Sequence, residues 1–158
     1  MTIRVLIADN HPLVRNSLQQ LLSREPDMVP RSIDGHRQFV MEALENAYDD
    51  VIVLDAEGIS YIGTEWLERQ LKKLRRRVKL IVMSQHTERH YVDQSFRMGA
   101  AGYLIKSSAY EELPGAVRCV SQGNRYIGRE ISDGSECRPI RIQADSPGSA
   151  DRRPPFPA

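Results

Sequence analysis

Four apolar runs of strand length in this chain each end at a polar residue. The runs cover residues 3–8, 51–54, 80–83 and 102–105, and they end at Asp9, Asp55, Ser84 and Lys106. If helical crossovers make the sheet parallel, these four residues gather at its carboxyl edge, where open α/β sheets place their sites. Two carboxylates can hold a divalent cation and accept a phosphoryl group, while a hydroxyl and an ammonium can bind the transferred oxygens. The pattern predicts a site for one phosphate.

Segments with apolar residues at helical spacing separate the strands. Helices are expected after Asn10-His11-Pro12, within residues 39–47, 67–74 and 87–99, and before Gly123. Residues 28–33 form a weaker strand in which Pro30 cannot donate a ladder hydrogen bond, which indicates a sheet edge. Five strands alternating with five helices predict an α/β fold, a flavodoxin-like (βα)5 doubly wound parallel sheet in the order 2-1-3-4-5. That order places the second strand at an edge.

The end of the domain is less regular. Ser108 to Glu111 resembles a capping box, but Pro114 lies too deep for a helix that begins at Ala109, so the last helix is expected to start near Glu112. From Ser132 onward the sequence is rich in Pro, Gly and Ser and cannot form a core. We therefore expect a domain over residues 1–130 and a disordered tail over residues 131–158.

Composition excludes several classes of function. With 22 basic and 21 acidic side chains the formal charge is +1, so no global field draws the chain to nucleic acid or to a membrane. No apolar stretch approaches the roughly 20 residues needed to span a bilayer. Cys119 and Cys137 lack metal-ligand spacing, and the N-terminus lacks a signal-peptide pattern. These features predict a cytoplasmic protein in a reducing compartment.

Three segments resemble one family of signalling domains. Residues 3–15, 99–106 and 123–127 are similar to the opening, the fifth-strand signature and the exit from the last helix in receiver domains of bacterial two-component response regulators, of the NarL/FixJ (LuxR-type) subfamily. The resemblance covers residues 2 to 130. In this order and spacing the three motifs are specific.

The resemblance implies a role for each strand-end residue, a Mg²⁺ cofactor and a sensor histidine kinase as phosphoryl donor. The implied positions are Asp55 as phosphoacceptor, Asp9 and Asn10 in the magnesium pocket, the Glu57 backbone carbonyl as a metal ligand, Ser84 as the switch hydroxyl, Tyr103 as the switch aromatic and Lys106 as the phosphoryl-binding lysine. It also implies a possible homodimer through receiver helices.

The sequence departs from the family pattern in three ways. Asn10 stands where the family usually has a second acidic residue, and a neutral amide is a weaker ligand for Mg²⁺ than a carboxylate. Gly58-Ile59 replaces the usual Met-Pro pair, so we expect a freer loop after the phosphoacceptor. Residues 131–158 are too few and too Pro-rich for the helix-turn-helix output domain. This chain alone is therefore not expected to bind nucleic acid.

Each candidate residue also has an ordinary structural interpretation. Asp9 and Asp55 can cap the turns that follow their strands, and Ser84 can cap its own loop. Tyr103 can be a half-buried strand aromatic, and Lys106 can be an exposed lysine at a strand end.

Other polar groups leave alternatives open. The carboxylate of Glu57 can replace the missing charge in the pocket or pair with Lys106 as a latch. The basic run from Arg69 to Lys79 lacks interleaved aromatics, which favours a solvated helix face over a nucleic-acid patch. Four histidines share no metal spacing and are expected to be surface or loop residues: His11, His36, His86 and His90.

Three functions compete. The leading one is a phosphorylation-controlled receiver module of a transcriptional regulator, a phosphoacceptor rather than an enzyme. The second is a pseudo-receiver that binds partners without phosphorylation, suggested by Asn10 and Gly58-Ile59. The third is an aspartyl-nucleophile hydrolase, which is disfavoured because such phosphatases carry an Asp-x-Asp pair after the first strand, whereas here Asp9 is followed by Asn10-His11.

Overall fold

The computed structural model describes residues 1–74, 77–132 and 136–139 and contains one sheet with helices on both faces. The strands are β1 (Ile3–Ala8), β2 (Met28–Ile33), β3 (Val51–Asp55), β4 (Lys79–Ser84), β5 (Gly102–Ile105), β6 (Asn124–Ile127) and β7 (Glu136–Pro139). The helices are α1 (Pro12–Ser23), α2 (Arg37–Asn46), α3 (Ala56–Ile62), α4 (Thr64–Leu74), α5 (Arg89–Met98) and α6 (Ala109–Ser121), and a 3₁₀ turn (Lys106–Ser108) precedes α6.

The strand order is β2-β1-β3-β4-β5-β6-β7. All neighbouring pairs are parallel except β6 and β7. The structure confirms the predicted order 2-1-3-4-5 and extends it by two strands beyond β5. Pro30 lies on β2 at the edge of the sheet, opposite Val5, where a missing backbone donor is tolerated.

Both faces of the central strands are buried. Leu6 and Ile52 pack under α2 to α5, while Ile7 and Val53 pack on the other face under α1 and α6. Because neither face meets water, these strands are continuously apolar rather than alternating. The helices thus enclose the sheet and leave its carboxyl edge as the place where polar groups can gather.

The start of α6 differs from the prediction. The helix begins at Ala109 and continues through Pro114, so the expected start near Glu112 is wrong. Leu113 and Val117 lie fully buried on this helix. Burial of this apolar face outweighs the single backbone hydrogen bond that the proline removes.

The segment after Asp55 also differs from the prediction. The expected freer loop at Gly58-Ile59 is a helix, α3, so two helices rather than one connect β3 to β4. Ile59 and Ile62 are buried in the core, and a Cβ added to Gly58 would lie 3.2 Å from Leu54 Cδ1. The two isoleucines hold the segment in place, and the glycine lets it approach the sheet closely.

Part of the expected disordered tail is a strand. β7 pairs antiparallel with β6, and a disulfide of 2.11 Å links Cys119 on α6 to Cys137 on β7. The expectation of reduced thiols therefore does not match the structure. The expectation for residues 140–158 lies outside the described residues. Among the residues that are described, no helix has the length and apolar character needed to cross a membrane.

Candidate functional site

The candidate site lies at the carboxyl edge of four neighbouring strands. Asp9 follows β1, Asp55 ends β3, Ser84 ends β4 and Lys106 follows β5. Because β1, β3, β4 and β5 are adjacent and parallel, their ends lie side by side. The predicted gathering of these residues is present, and the contacts described below define it.

Lys106 forms the centre of the site. Its Nζ lies 3.0 Å from Asp55 Oδ2 and 3.0 Å from Asp9 Oδ2. Burial alone would lower the pKa of Lys106, but its hydrogen bonds and charge contacts with Asp55 and Asp9 outweigh burial and raise that pKa. The ammonium therefore stays charged and neutralises part of the acidic pair. This contact favours the anionic-partner interpretation of Lys106 over an exposed strand-end lysine.

His11 belongs to the same cluster. Its Nδ1 lies 3.0 Å from Asp9 Oδ1, 3.0 Å from Lys106 Nζ and 4.0 Å from Asp55 Oδ2. The backbone N–H of His11 also donates to Asp9 Oδ1 at 2.8 Å, which forms a tight turn before α1 begins at Pro12. Asp9 thus organises the turn at the start of the helix and contacts the ammonium of Lys106 at the same time.

The acidic pair fits a divalent cation. Asp9 is completely buried, and apart from the ammonium of Lys106 at 3.0 Å its Oδ2 has no partner. Two carboxylates side by side, one of them buried, are a ligand set for a hard cation. One oxygen each from Asp9 and Asp55 and one nitrogen of His11 lie within 4.8 Å of one another.

Asn10 and Glu57 are placed differently from these residues. Asn10 is exposed and its side-chain oxygen packs beside Gly35, where an added Cβ would lie only 2.9 Å away. Glu57 is exposed on the first turn of α3, and its backbone N–H points to Asp55 Oδ1 at 3.4 Å. Lys106 contacts Asp9, Asp55 and His11, so the proposed Glu57 to Lys106 latch is not the pairing that the structure adopts.

Ser84 and Tyr103 are connected through one turn. Ser84 Oγ accepts a hydrogen bond from the backbone N–H of His86 at 3.0 Å, so the loop-capping interaction is present. Tyr103 is completely buried rather than half-buried, and its hydroxyl donates to the backbone carbonyl of His86 at 2.7 Å. Burial raises the pKa of Tyr103. Ser84 and Tyr103 therefore hold the same turn from two sides.

A shallow pocket opens between the β3–α3 and β4–α5 connections. Its walls are Asp55, Ala56, Glu57, Ser60, Ser84, Gln85 and His86. Asp55 and Ser84 thus face one small, solvent-accessible space.

Sequence reasoning missed two histidines. His11 was interpreted as a surface residue, and His86 as a loop residue without a role. His11 is indeed exposed, yet its ring reaches the acidic cluster. The signal for it was the Asp-x-His spacing directly before the Pro12 helix start. His86 acts through its backbone, and no side-chain pattern could have indicated that contact.

Comparison with known proteins identifies the family. A family model described as the response regulator receiver domain matches residues 5–118. The chain belongs to this family. Receiver domains are signalling modules of two-component response regulators that typically bind Mg²⁺ at an acidic pocket.

Two curated relatives are transcriptional regulatory proteins or response regulators. The receiver domain is 33% identical over 132 residues to the transcriptional regulatory protein DegU of Brevibacillus brevis, an alignment that covers 82% of this chain and 55% of DegU. It is 33% identical over 134 residues to the response regulator UvrY of Escherichia coli K12, covering 82% of this chain and 59% of UvrY. The chain thus spans less than two thirds of the length of these relatives.

Solved structures show the same fold. The signal receiver domain of NarL from Mycobacterium tuberculosis has a TM-score of 0.66 and 27% identity, covering 77% of this chain and 98% of that chain. The isolated receiver domain of RcsB from Salmonella enterica serovar Typhimurium has a TM-score of 0.71 at 17% identity, covering 84% of this chain and 97% of that chain. At 17% identity the second match supports the fold alone.

Proposed function

We propose that this receiver domain accepts a phosphoryl group on Asp55 from a phosphohistidine of a sensor histidine kinase. A carboxylate oxygen of Asp55 attacks phosphorus, the bond from phosphorus to the histidine nitrogen breaks, and the leaving imidazole keeps the electron pair. The observation that carries the proposal is the contact of Asp55 with Lys106 at 3.0 Å beside the buried Asp9, with Asp55 and Ser84 lining one small pocket.

The roles of the charged residues follow from this chemistry. Phosphoryl transfer requires alignment and neutralisation of charge more than covalent help from the protein. Lys106 is proposed to move from the carboxylate of Asp55 to the oxygens of the transferred group, because its ammonium already lies next to the acceptor. A divalent cation held by Asp9 and Asp55 supplies further positive charge when it is bound. Mg²⁺ is the family's ion, and the Asn10 amide and the Glu57 backbone carbonyl are its remaining proposed ligands.

Ser84 and Tyr103 are proposed to transmit the modification. Ser84 lines the pocket and accepts a hydrogen bond from the His86 N–H, so its hydroxyl proton can be donated to a phosphoryl oxygen, and a shift of Ser84 toward that oxygen would carry the His86 turn with it. Tyr103 is hydrogen-bonded to that same turn. A displacement of the His86 turn therefore changes the packing of Tyr103 and of α5, which begins three residues after His86 at Arg89. The changed face of α5, β5 and α6 is the proposed output surface.

A pseudo-receiver is the second candidate. Asn10 removes a carboxylate from the pocket, and the ammonium of Lys106 already pairs with both remaining acids. In that case the chain acts as an interaction module whose surface is independent of phosphate.

The wider context of the chain is also proposed. We place it in the cytoplasm as the receiver module of a transcriptional regulator that forms homodimers through receiver helices. DNA binding is assigned to the parent regulator and not to these 158 residues.

Mass spectrometry of the intact protein separates the two candidate functions. The chain is incubated with acetyl phosphate and Mg²⁺, and Asp55→Asn serves as the control. A gain of one phosphoryl group that Asp55→Asn lacks supports the phosphoacceptor function. No gain in either protein, with both folded by circular dichroism, supports the pseudo-receiver.

A further inference from the structure

Among the described residues, His11 is the one histidine whose ring joins the acidic pair. Its Nδ1 lies 3.0 Å from Asp9 Oδ1 and 4.0 Å from Asp55 Oδ2. Two ligands of one ion at about 2.1 Å can be no more than about 4.2 Å apart. Both separations meet this limit, and the ligand atoms of all three residues lie within 4.8 Å of one another, so a small closure would place the three groups on a single ion.

Lys106 marks the position of positive charge in this cluster. Its ammonium lies 3.0 Å from Asp9 Oδ2, Asp55 Oδ2 and His11 Nδ1. Nδ1 faces an acceptor, Asp9 Oδ1, and a donor, Lys106, at the same distance, and a single ring nitrogen can satisfy only one of them. When it accepts, its lone pair points to the place where the protein already holds a cation.

The missing acid and the added imidazole change the ligand chemistry. The pocket has two carboxylates rather than three, and Lys106 neutralises one of those charges. Mg²⁺ depends on anionic oxygen ligands, so it loses attraction. Imidazole nitrogen suits ions such as Co²⁺, Ni²⁺ and Zn²⁺, which bind nitrogen and oxygen together. The carboxylate of Asp9 is completely buried, and its Oδ2 has no partner except the ammonium of Lys106, so a bound cation would take the place of that ammonium.

We propose that Asp9, His11 and Asp55 form a mixed nitrogen and oxygen site that selects a first-row transition-metal ion over Mg²⁺, with His11 Nδ1 as a direct ligand. The inference concerns the same pocket as the proposed function and rests on it for the use of the ion. Binding of the ion displaces the ammonium of Lys106 from Asp9, which leaves Lys106 free for the phosphoryl oxygens.

The chain offers a closely matched control. His36 lies two residues after Asp34 and forms the same kind of turn: its backbone N–H donates to Asp34 Oδ1, and its ring Nδ1 pairs with that carboxylate. His36 is exposed. In the part of the chain that the structure describes, the pair of Asp34 and His36 does not belong to a cluster of three possible metal ligands. His36→Gln therefore removes an Asp-x-His ring without touching the site.

The test compares the wild-type chain, His11→Gln and His36→Gln by calorimetric titration with CoCl₂ and with MgCl₂, and by visible spectra of the Co²⁺ forms. His11→Gln is expected to weaken Co²⁺ binding at least about tenfold, to change the Co²⁺ spectrum, and to alter Mg²⁺ affinity less than about threefold. His36→Gln is expected to match the wild type.

Three results overturn the inference. The first is that the wild type does not bind Co²⁺. The second is that wild type and His11→Gln have the same Co²⁺ affinity and spectrum. The third is that His11→Gln loses as much affinity for Mg²⁺ as for Co²⁺. Phosphorylation by acetyl phosphate with Mg²⁺ is measured separately on the same proteins. A His11-dependent Co²⁺ site without phosphorylation rejects the proposed function alone, and phosphorylation without that site rejects this inference alone.

Discussion

Removal of the ammonium at the centre of the site tests the electrostatic reasoning most directly. Lys106→Met keeps the aliphatic length of the side chain and leaves Asp9 and Asp55 without their common cation. Asp9 is fully buried, and the side chains of Asp55 and Lys106 are only 10% and 12% exposed. Removing one partner of such a buried pair strands the other charge in a poorly solvated place.

The expected loss is about 3 kcal/mol of unfolding free energy at pH 7, at the lower end for buried pairs because the pocket opens to solvent. For a chain of this size that loss lowers Tm by about 6–12 °C. The control is Lys72→Met on α4, whose pair with Glu68 is exposed and is worth no more than about 0.5 kcal/mol. Urea denaturation and thermal scans measure both variants against the wild type.

The pH dependence has a definite sign. Although burial lowers it, the pKa of Lys106 is raised above its ordinary 10.5 by Asp55 and Asp9. The pairing therefore contributes fully below pH 10.5 and is lost as the pH rises through the raised pKa. The difference in unfolding free energy between wild type and Lys106→Met should stay constant from neutral pH to about pH 10 and become smaller above it.

Two outcomes would refute this reasoning. The first is a Lys106→Met variant as stable as Lys72→Met at pH 7. The second is a double variant, Lys106→Met with Asp9→Asn, that is less stable than Lys106→Met alone. Neutralising the stranded acid should instead recover part of the loss.

Three further predictions concern the switch turn, a surface ion pair and the disulfide. Tyr103→Phe leaves the His86 carbonyl without its donor and is expected to lower unfolding free energy by about 1 kcal/mol, measured by urea denaturation. The hydrogen bond from Arg118 lowers the pKa of Asp27 below 3.8. The wild type should therefore be more stable to urea than Asp27→Asn above that pH, and this advantage should disappear at lower pH. A thiol reagent should label neither cysteine in the folded, unreduced chain and both after reduction and unfolding.

Each of these has a clear contrary result. A Tyr103→Phe protein as stable as the wild type would mean that water replaces the phenol at the His86 carbonyl. A stability advantage of Asp27 over Asn that persists unchanged in acid would remove the ion pair as its cause. Labelling of both thiols in protein purified without reductant would mean that the cysteines are free, as the cytoplasmic placement favours.

Much of the site follows from local sequence. Asp9, Asp55, Ser84 and Lys106 each end an apolar run, and parallel strands bring such ends together without any further information. Pro30 likewise predicted the edge position of β2, because a residue without an N–H cannot serve a central strand. The family motifs added the proposed roles, which stay predictions, and the family comparison confirms the family.

The errors have a common physical cause. The start of α6, the helix α3 and the strand β7 all depend on what packs against them. Pro114 and Gly58 disfavour helix locally, yet burial of Leu113 and Ile59 outweighs those preferences. A local propensity of about 1–3 kcal/mol is comparable to the burial of one or two large side chains, so sequence alone could not decide these cases.

The sequence alone was enough to predict the order of the strands, the edge that holds the polar residues and the identity of the acidic pair. Apolar run length and the polar residue that ends each run are local properties that can be read directly from the sequence. Only the tertiary structure decided that Lys106 contacts both acids, that His11 joins them and that Tyr103 is bonded to the His86 turn. Those contacts join residues up to 97 positions apart, Asp9 to Lys106, and such separations leave no periodic trace in the sequence. Their geometry exists only once the core has set the distances between the strand ends.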